Sequence, residues 1–194
     1  MPRYHHGDLA RALVDAAVSI LEKDGPHALT LRKAARGAGV SHAAPAHHFG
    51  DLRGLLSGVA IRGWQGLLAA MREAPDGSAA IDRMRQVGTG YIGFATANVG
   101  LFRAMFHPIL AQGPSPNDRH QAAREATWAY VVSVVEDCQA EGSVRAGDAK
   151  AIARFAWSTT HGAAALCVEG AFDHSPVEIA QTMVRDLYLG LRSG

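Results

Sequence analysis

The 194-residue chain has two cysteines, Cys138 and Cys167, far apart in sequence and outside any C-x-x-C. That spacing suggests neither a disulfide framework nor a cysteine zinc site. Net charge is +1, so no global basic signal points to nucleic acid. No run reaches the roughly 18 apolar residues of a membrane helix. The start, Met-Pro-Arg-Tyr-His-His-Gly-Asp, lacks an apolar secretory core. A cytoplasmic protein without membrane contact is the default. No convincing run alternates apolar and polar residues, so strands are not expected. Repeats and low-complexity tracts are missing. So are a Gly-rich phosphate loop and a His-x-x-x-His or Glu-x-x-His pair. Ser, His and Asp are scattered without catalytic spacing. An enzyme, a cofactor and a metal are therefore not expected.

What is present is helical pattern. Leu9, Ala12, Leu13, Ala16, Ala17, Ile20 and Leu21 make an apolar stripe over residues 8–24, with Asp8 as expected N-cap and Gly25-Pro26 as stop. The chain then reaches its most informative stretch, Thr30 to Phe49. Leu31, Ala34, Ala35 and Ala38 recur at helical spacing, and Arg32, Lys33 and Arg36 take the other face. Thr30 can cap this helix. Gly39 can adopt the left-handed conformation that ends it, and Val40 can turn inward. Ser41 can cap a short helix over about 42–48, with Pro45 near its first turn. Phe49 is expected to lock that helix onto the first one. On spacing alone two readings stand: a helix-turn-helix, whose second helix enters the DNA major groove, and an ordinary helical hairpin. Through Leu56 there are seven Lys/Arg against five Asp/Glu, and six of the ten His, a mild tilt compatible with DNA.

Asp51 can cap a fourth helix over about 52–72, before the break at Pro75-Asp76-Gly77-Ser78. A fifth helix carries Ile81, Met84, Gly88, Tyr91, Ile92 and Ala95, and Asn98-Val99-Gly100 breaks it. Leu101–His107 is a short sixth, and 113–117 reads as loop. A long helix over 118–141 ends at Gly142, and another over 149–170 starts at Asp148. Ser175-Pro176-Val177-Glu178 is a capping box that opens the last helix. The fold class is all-α, with about nine helices.

The residues Leu29-Thr30, Ala35, Ala38-Gly39-Val40-Ser41, His48-Phe49 and Leu55-Leu56 resemble the N-terminal domain of TetR-family transcriptional regulators. Trp157, His161 and Gly162, with Leu166 and Gly170 after them, resemble the Trp…His-Gly motif of one C-terminal ligand-domain subgroup of that family. The resemblance implies a DNA-binding helix-turn-helix domain over 1–56, whose connecting helix runs to about 72, and a helical ligand-binding and dimerisation domain over 57–194. It implies a homodimer joined through the last two helices. Two recognition helices about 34–36 Å apart would then read a near-palindromic operator. It implies a repressor released by a small-molecule effector. The second reading is a helical small-molecule-binding protein of this fold with weak or lost DNA binding. Two departures support it. Members usually carry Tyr where this chain has Ala46, and Lys or Arg where it has Leu52, with Arg53 one residue out of register. Each missing phosphate contact weakens binding without changing sequence choice.

Residue by residue, Thr30 and Arg32 are candidate phosphate contacts, with capping and a solvated charge as plainer roles. Ser41, His42 and Ala43 start the recognition helix, where free N–H groups favour a phosphate and a short side chain can meet a thymine methyl. His47 is assigned to DNA. His48 is open between DNA and packing beside Phe49. Arg53 is a candidate phosphate contact. If His42 and His47 supply charge missing at Ala46 and Leu52, operator affinity rises from about pH 8 to about pH 6. Tyr91, Phe102, Phe106, Trp128, Tyr130, Trp157 and His161 are the candidate effector contacts, each with plain core packing as its alternative. Cys138 and Cys167 read as small buried apolar groups.

Overall fold

A computed structural model describes residues 6–112 and 117–192, with side chains from Leu9 onward. Of the loop expected at 113–117, residues 113–116 lie outside those described. Among them the chain forms nine α-helices. They are α1 (His6–Asp24), α2 (Leu31–Gly37), α3 (Ala44–Phe49), α4 (Leu52–Met71), α5 (Ala80–Ala97), α6 (Val99–Met105), α7 (Asp118–Ala140), α8 (Ala149–Val168) and α9 (Pro176–Leu191). Two 3₁₀ turns, Pro26–Ala28 and Pro108–Ala111, were not expected from the sequence. The all-α class stands. Two compact units are formed, one from the residues up to Trp64 with Asn98–Arg124, the other from Gln65–Ala97 with Glu125 onward.

In the first unit α1 is the central rod. Leu13, Ala17 and Leu21 are buried on it, and α2, α3 and α6 pack against it. Burying each such leucine is worth about 1.5–3 kcal/mol. α1 extends back to His6, so Asp8 lies inside the helix and is not its N-cap. No proline stands between it and the earlier start. Thr30 caps α2 as expected, its hydroxyl accepting from Lys33 N at 3.1 Å. At the other end Gly39 has φ +66°. Its N–H donates to Arg36 O at 3.2 Å, and Val40 N donates to Ala35 O at 3.0 Å. These two bonds satisfy carbonyls that a helix end would leave unpaired. Small Ala34 and Ala35 are fully buried and let α3 approach.

α3 begins later than the sequence suggests. Ser41 does not cap it; its carbonyl accepts from Ala44 N at 3.1 Å, and no side chain caps the helix at Ala43. Pro45 is the reason. It is the second helical residue, and Ser41–Ala43 form the turn that delivers the chain to it. The ring of Phe49 is half-buried. It lies over Gly58 of α4, where an added Cβ would sit 3.1 Å from Phe49 Cε1 and 3.2 Å from Val14 Cγ2 of α1. The lock between α3 and α1 is therefore made with α4. Asp51 caps α4, accepting from Gly54 N at 2.8 Å.

The break after α5 is narrower than expected. Asn98 alone interrupts it, and α6 restarts at Val99 and ends at Met105. Gly100 serves packing instead: an added Cβ would lie 2.9 Å from Glu22 N of α1. In the second unit α5, α8 and α9 pack on one another. α7 is tied to α5 by Arg83–Asp137 at 2.6 Å, and just past its end Glu141 Oε2 accepts from Ala80 N at 2.9 Å. Asp148 caps α8 through Lys150 N at 2.9 Å, and the Ser175/Glu178 capping box opens α9. Both caps match the sequence reading, because capping is decided within three or four residues.

Candidate nucleic-acid interface and apolar cavity

The stretch from Gly25 to Gly50 holds two Arg, one Lys and four His, and no Asp or Glu. Lys33 reaches back to Asp24 at 3.9 Å, outside the stretch. Arg32 and Arg36 stand exposed on α2. Ser41, His42, Ala43, Ala46 and His47 are exposed along the turn and α3, while Pro45 is buried. α3 thus turns one side to α2 and α1 and leaves the other open, and an approaching phosphate meets no carboxylate of this stretch. His48 is half-buried, 5.5 Å centroid to centroid from His47 and 6.5 Å from Phe49. Arg53 donates from Nε to Ile109 O at 3.1 Å, so part of its guanidinium faces the second 3₁₀ turn. Leu52 is half-buried and offers no charge.

The second unit holds a cluster of rings. Tyr91 of α5 is 1 % exposed and meets Trp157 of α8 edge-on at 5.0 Å. Trp128 of α7 lies 6.3 Å from Trp157 on the same pattern. The Tyr91 hydroxyl and His161 Nδ1 are 2.9 Å apart. Burial pushes the Tyr91 phenol far up, so it stays protonated, and burial lowers the His161 imidazole, so it stays neutral. Beside this cluster α5, α7, α8 and α9 enclose a cavity of about 30 Å³, room for about one or two waters. Its walls are Val131, Val134 and Val135 of α7, Val184 and Leu187 of α9, and residues from Ile81 to Tyr91 of α5. Ala156, Trp157 and Thr160 close it from α8.

Residues 13–59 match the family model for bacterial regulatory proteins of the tetR family, and residues 84–187 match the tetracyclin repressor-like C-terminal domain. The second match alone spans more than half the chain. The chain belongs to the TetR family.

A protein of unknown function from Rhodococcus sp. RHA1 is 37 % identical over 100 % of both chains, with a TM-score of 0.83. A tetR-family regulatory protein from Rhodococcus RHA1 has 21 % identity, covers 96 % of this chain and 98 % of its own, and gives 0.77. FadR from Bacillus subtilis, solved with stearoyl-CoA, has 14 % identity over 94 % and 99 % and gives 0.78. No functionally curated protein matches the sequence. TetR-family proteins are DNA-binding transcriptional regulators, not enzymes, and dimerise through the C-terminal domain. No described helix is long and apolar enough to cross a membrane.

For this TetR-family chain the seven aromatic and imidazole candidates divide. Tyr91, Trp128, Trp157 and His161 come together, and Tyr91 and Trp157 line the cavity. Phe102 and Phe106 belong to the other unit, where Phe106 meets Trp64 at 5.4 Å and Phe102 at 5.3 Å. Tyr130 stands apart from the ring cluster, under the Arg72 guanidinium at 4.8 Å and bonded to Met71 O at 3.4 Å. The valines and Thr160 went unremarked in the sequence. Their signal was available: paired Val131-Val132 and Val134-Val135 put a smooth aliphatic surface on one helix.

Histidines whose imidazoles are lowered by desolvation set a pH dependence. Burial lowers His161, His120 and His107, with Arg124 and Arg53 adding to the effect on His120 and His27 to that on His107. The unfolded chain then binds more protons than the folded one just below the ordinary histidine value of about 6.5. Stability is full above that value and falls as pH drops through it toward the lowered folded value. Thermal melts from pH 8 to pH 5 should show a falling midpoint below about pH 6.5. His161→Gln should flatten part of that fall and leave the share of His120 and His107.

Proposed function

We propose that this regulator is a homodimeric repressor that binds a near-palindromic operator and is released by a small-molecule effector. The observation that carries the reading is the exposed, carboxylate-free surface over α2, the 41–43 turn and α3. DNA contacts are assigned to Thr30, Arg32, Ser41, His42, Ala43 and His47, with Arg36 added. His48 and Arg53 are secondary, because one is half-buried and the other bonds Ile109. Residues 1–56 form the DNA-binding part, and 57–194 hold the effector and the partner subunit. The effector site is the cavity beside Tyr91 and Trp157, and the Trp157…His161-Gly162 likeness to one ligand-domain subgroup supports that choice. Phe155, Leu166, Phe172, Val177 and Leu189 support dimerisation through α8 and α9: these large apolar side chains are exposed on or next to the two helices. The regulator acts in the cytoplasm, where its DNA is.

The test is an anisotropy titration against operator fragments selected from a random pool. Affinity should fall linearly on a log–log plot against salt. Arg32→Ala should lower that slope by about 1.8, two phosphate contacts per dimer at about 0.9 each. If no fragment binds with salt dependence, the second reading takes over: a small-molecule-binding helical protein without useful DNA affinity. Ala46 and Leu52 are what favour it.

A further inference from the structure

The cavity assigned to the effector has a definite chemistry. Its walls are mainly apolar, aliphatic side chains with the rings of Tyr91, Trp157 and Tyr188, contributed by four helices. An ion placed there without a partner loses its hydration at a large cost. Arg85 is the charged side chain among the lining residues. It is already committed: Nη1 lies 2.7 Å from Asp82 Oδ1, and the guanidinium lies 5.5 Å from the centroid of the Tyr188 ring. Half of its side chain is in solvent. The cavity therefore offers no surplus positive charge to hold an anion, and the Asp82 charge is equally matched.

One polar group stands out. Thr160 is 4 % exposed and lines the cavity. Thr89, Thr96 and Thr159 each return their hydroxyl to the carbonyl four residues back. Thr160 makes no side-chain bond of that kind to the described residues, so its hydroxyl is left to whatever fills the cavity. Of the lining tyrosines, buried Tyr91 has its hydroxyl on His161, and Tyr188 is only half-buried. Size adds a limit. Val184 of α9 seats directly on the bare backbone of Gly88, where an added Cβ would lie 2.4 Å from Val184 Cγ2. A ligand widens the cavity by moving such side chains, and a compact ligand moves fewest.

We propose that the effector is an uncharged, compact, mainly apolar molecule with one hydrogen-bond acceptor, and that the Thr160 hydroxyl donates to that acceptor. This rests on the effector-cavity reading above. Three probes of similar size test it by saturation-transfer NMR on the full chain: acetophenone, ethylbenzene and benzoate. Acetophenone should bind about 2- to 12-fold more tightly than ethylbenzene, the range a net neutral hydrogen bond gives. Benzoate should bind most weakly. In Thr160→Val, which keeps the side-chain shape, the acetophenone advantage should vanish while ethylbenzene is unchanged. Thr160→Ser should keep the advantage, which separates a lost hydroxyl from a disturbed helix. Benzoate binding most tightly, or an advantage that survives Thr160→Val, overturns this inference and leaves the cavity as effector site. Failure of all three probes to bind overturns the cavity reading and the inference with it.

Discussion

Replacing Gly54 with alanine should cost about 3 kcal/mol of stability and cut operator affinity about thirty-fold or more. An alanine Cβ at 54 would lie 1.9 Å from the Phe49 carbonyl oxygen. No side chain can rotate to relieve that contact, because the oxygen is backbone. Overpacking of this kind typically costs about 1–3 kcal/mol, occasionally more. The strain falls where α3 hands over to α4, and the same carbonyl also accepts from Asp51 N at 2.9 Å. Relief requires moving the end of α3. Each displaced recognition helix forfeits contacts worth about 1–3 kcal/mol per half-site, and the dimer has two. A thermal melt and an anisotropy titration read the two effects. An unchanged melting midpoint would mean that the α3–α4 junction is not as tight as described.

Phe155→Glu with Leu166→Glu should convert the dimer to a monomer and lower operator affinity about 10²- to 10⁴-fold. Phe155 is 55 % exposed and Leu166 46 %. From Phe155 to Val168 the chain carries no Lys, Arg, Asp or Glu. Gly162 lies in that span on the exposed side of α8, and an added Cβ there would meet nothing within 4 Å. A mid-helix glycine costs about 1 kcal/mol relative to alanine. Packing among the described residues does not explain it, and the proposed close approach of a second α8 would. Two carboxylates on this face would oppose their copies across a two-fold axis. Once the subunits part, each half-site is bound alone and the gain from linked binding is lost. Sedimentation would give the mass and anisotropy the affinity. A double variant that stays dimeric places the subunit contact elsewhere.

Local signals made most of the fold legible. Thr30, Asp51, Asp148 and Ser175 announce helix starts through bonds that span only two or three residues. Gly39 announces a stop for the same reason. Ser41 misled because a serine before a short helix is normally a cap, and Pro45 displaced the start. Asp8 misled because no proline separates it from the helix start at His6. The candidate sites were half legible. The open face of α3 follows from spacing, since Pro45 turns in and His47 turns out. Which aromatics gather could not be read that way. Tyr91 and His161 meet across seventy residues, while Phe106, not far past α5 in sequence, packs on Trp64 and Phe102 packs on Phe106. Nothing in a ring's identity tells which partner it will find.

The bend between α2 and α3 is tied by main-chain bonds, from Gly39 N to Arg36 O, Val40 N to Ala35 O and Ala44 N to Ser41 O. The outward side chains at 42, 43, 46 and 47 take no part in those three bonds. Their lettering can therefore be rewritten while the scaffold beneath keeps its shape. A new target sequence could be acquired by a handful of codon changes, and drift at these four positions would retune the switch long before it unravelled the protein.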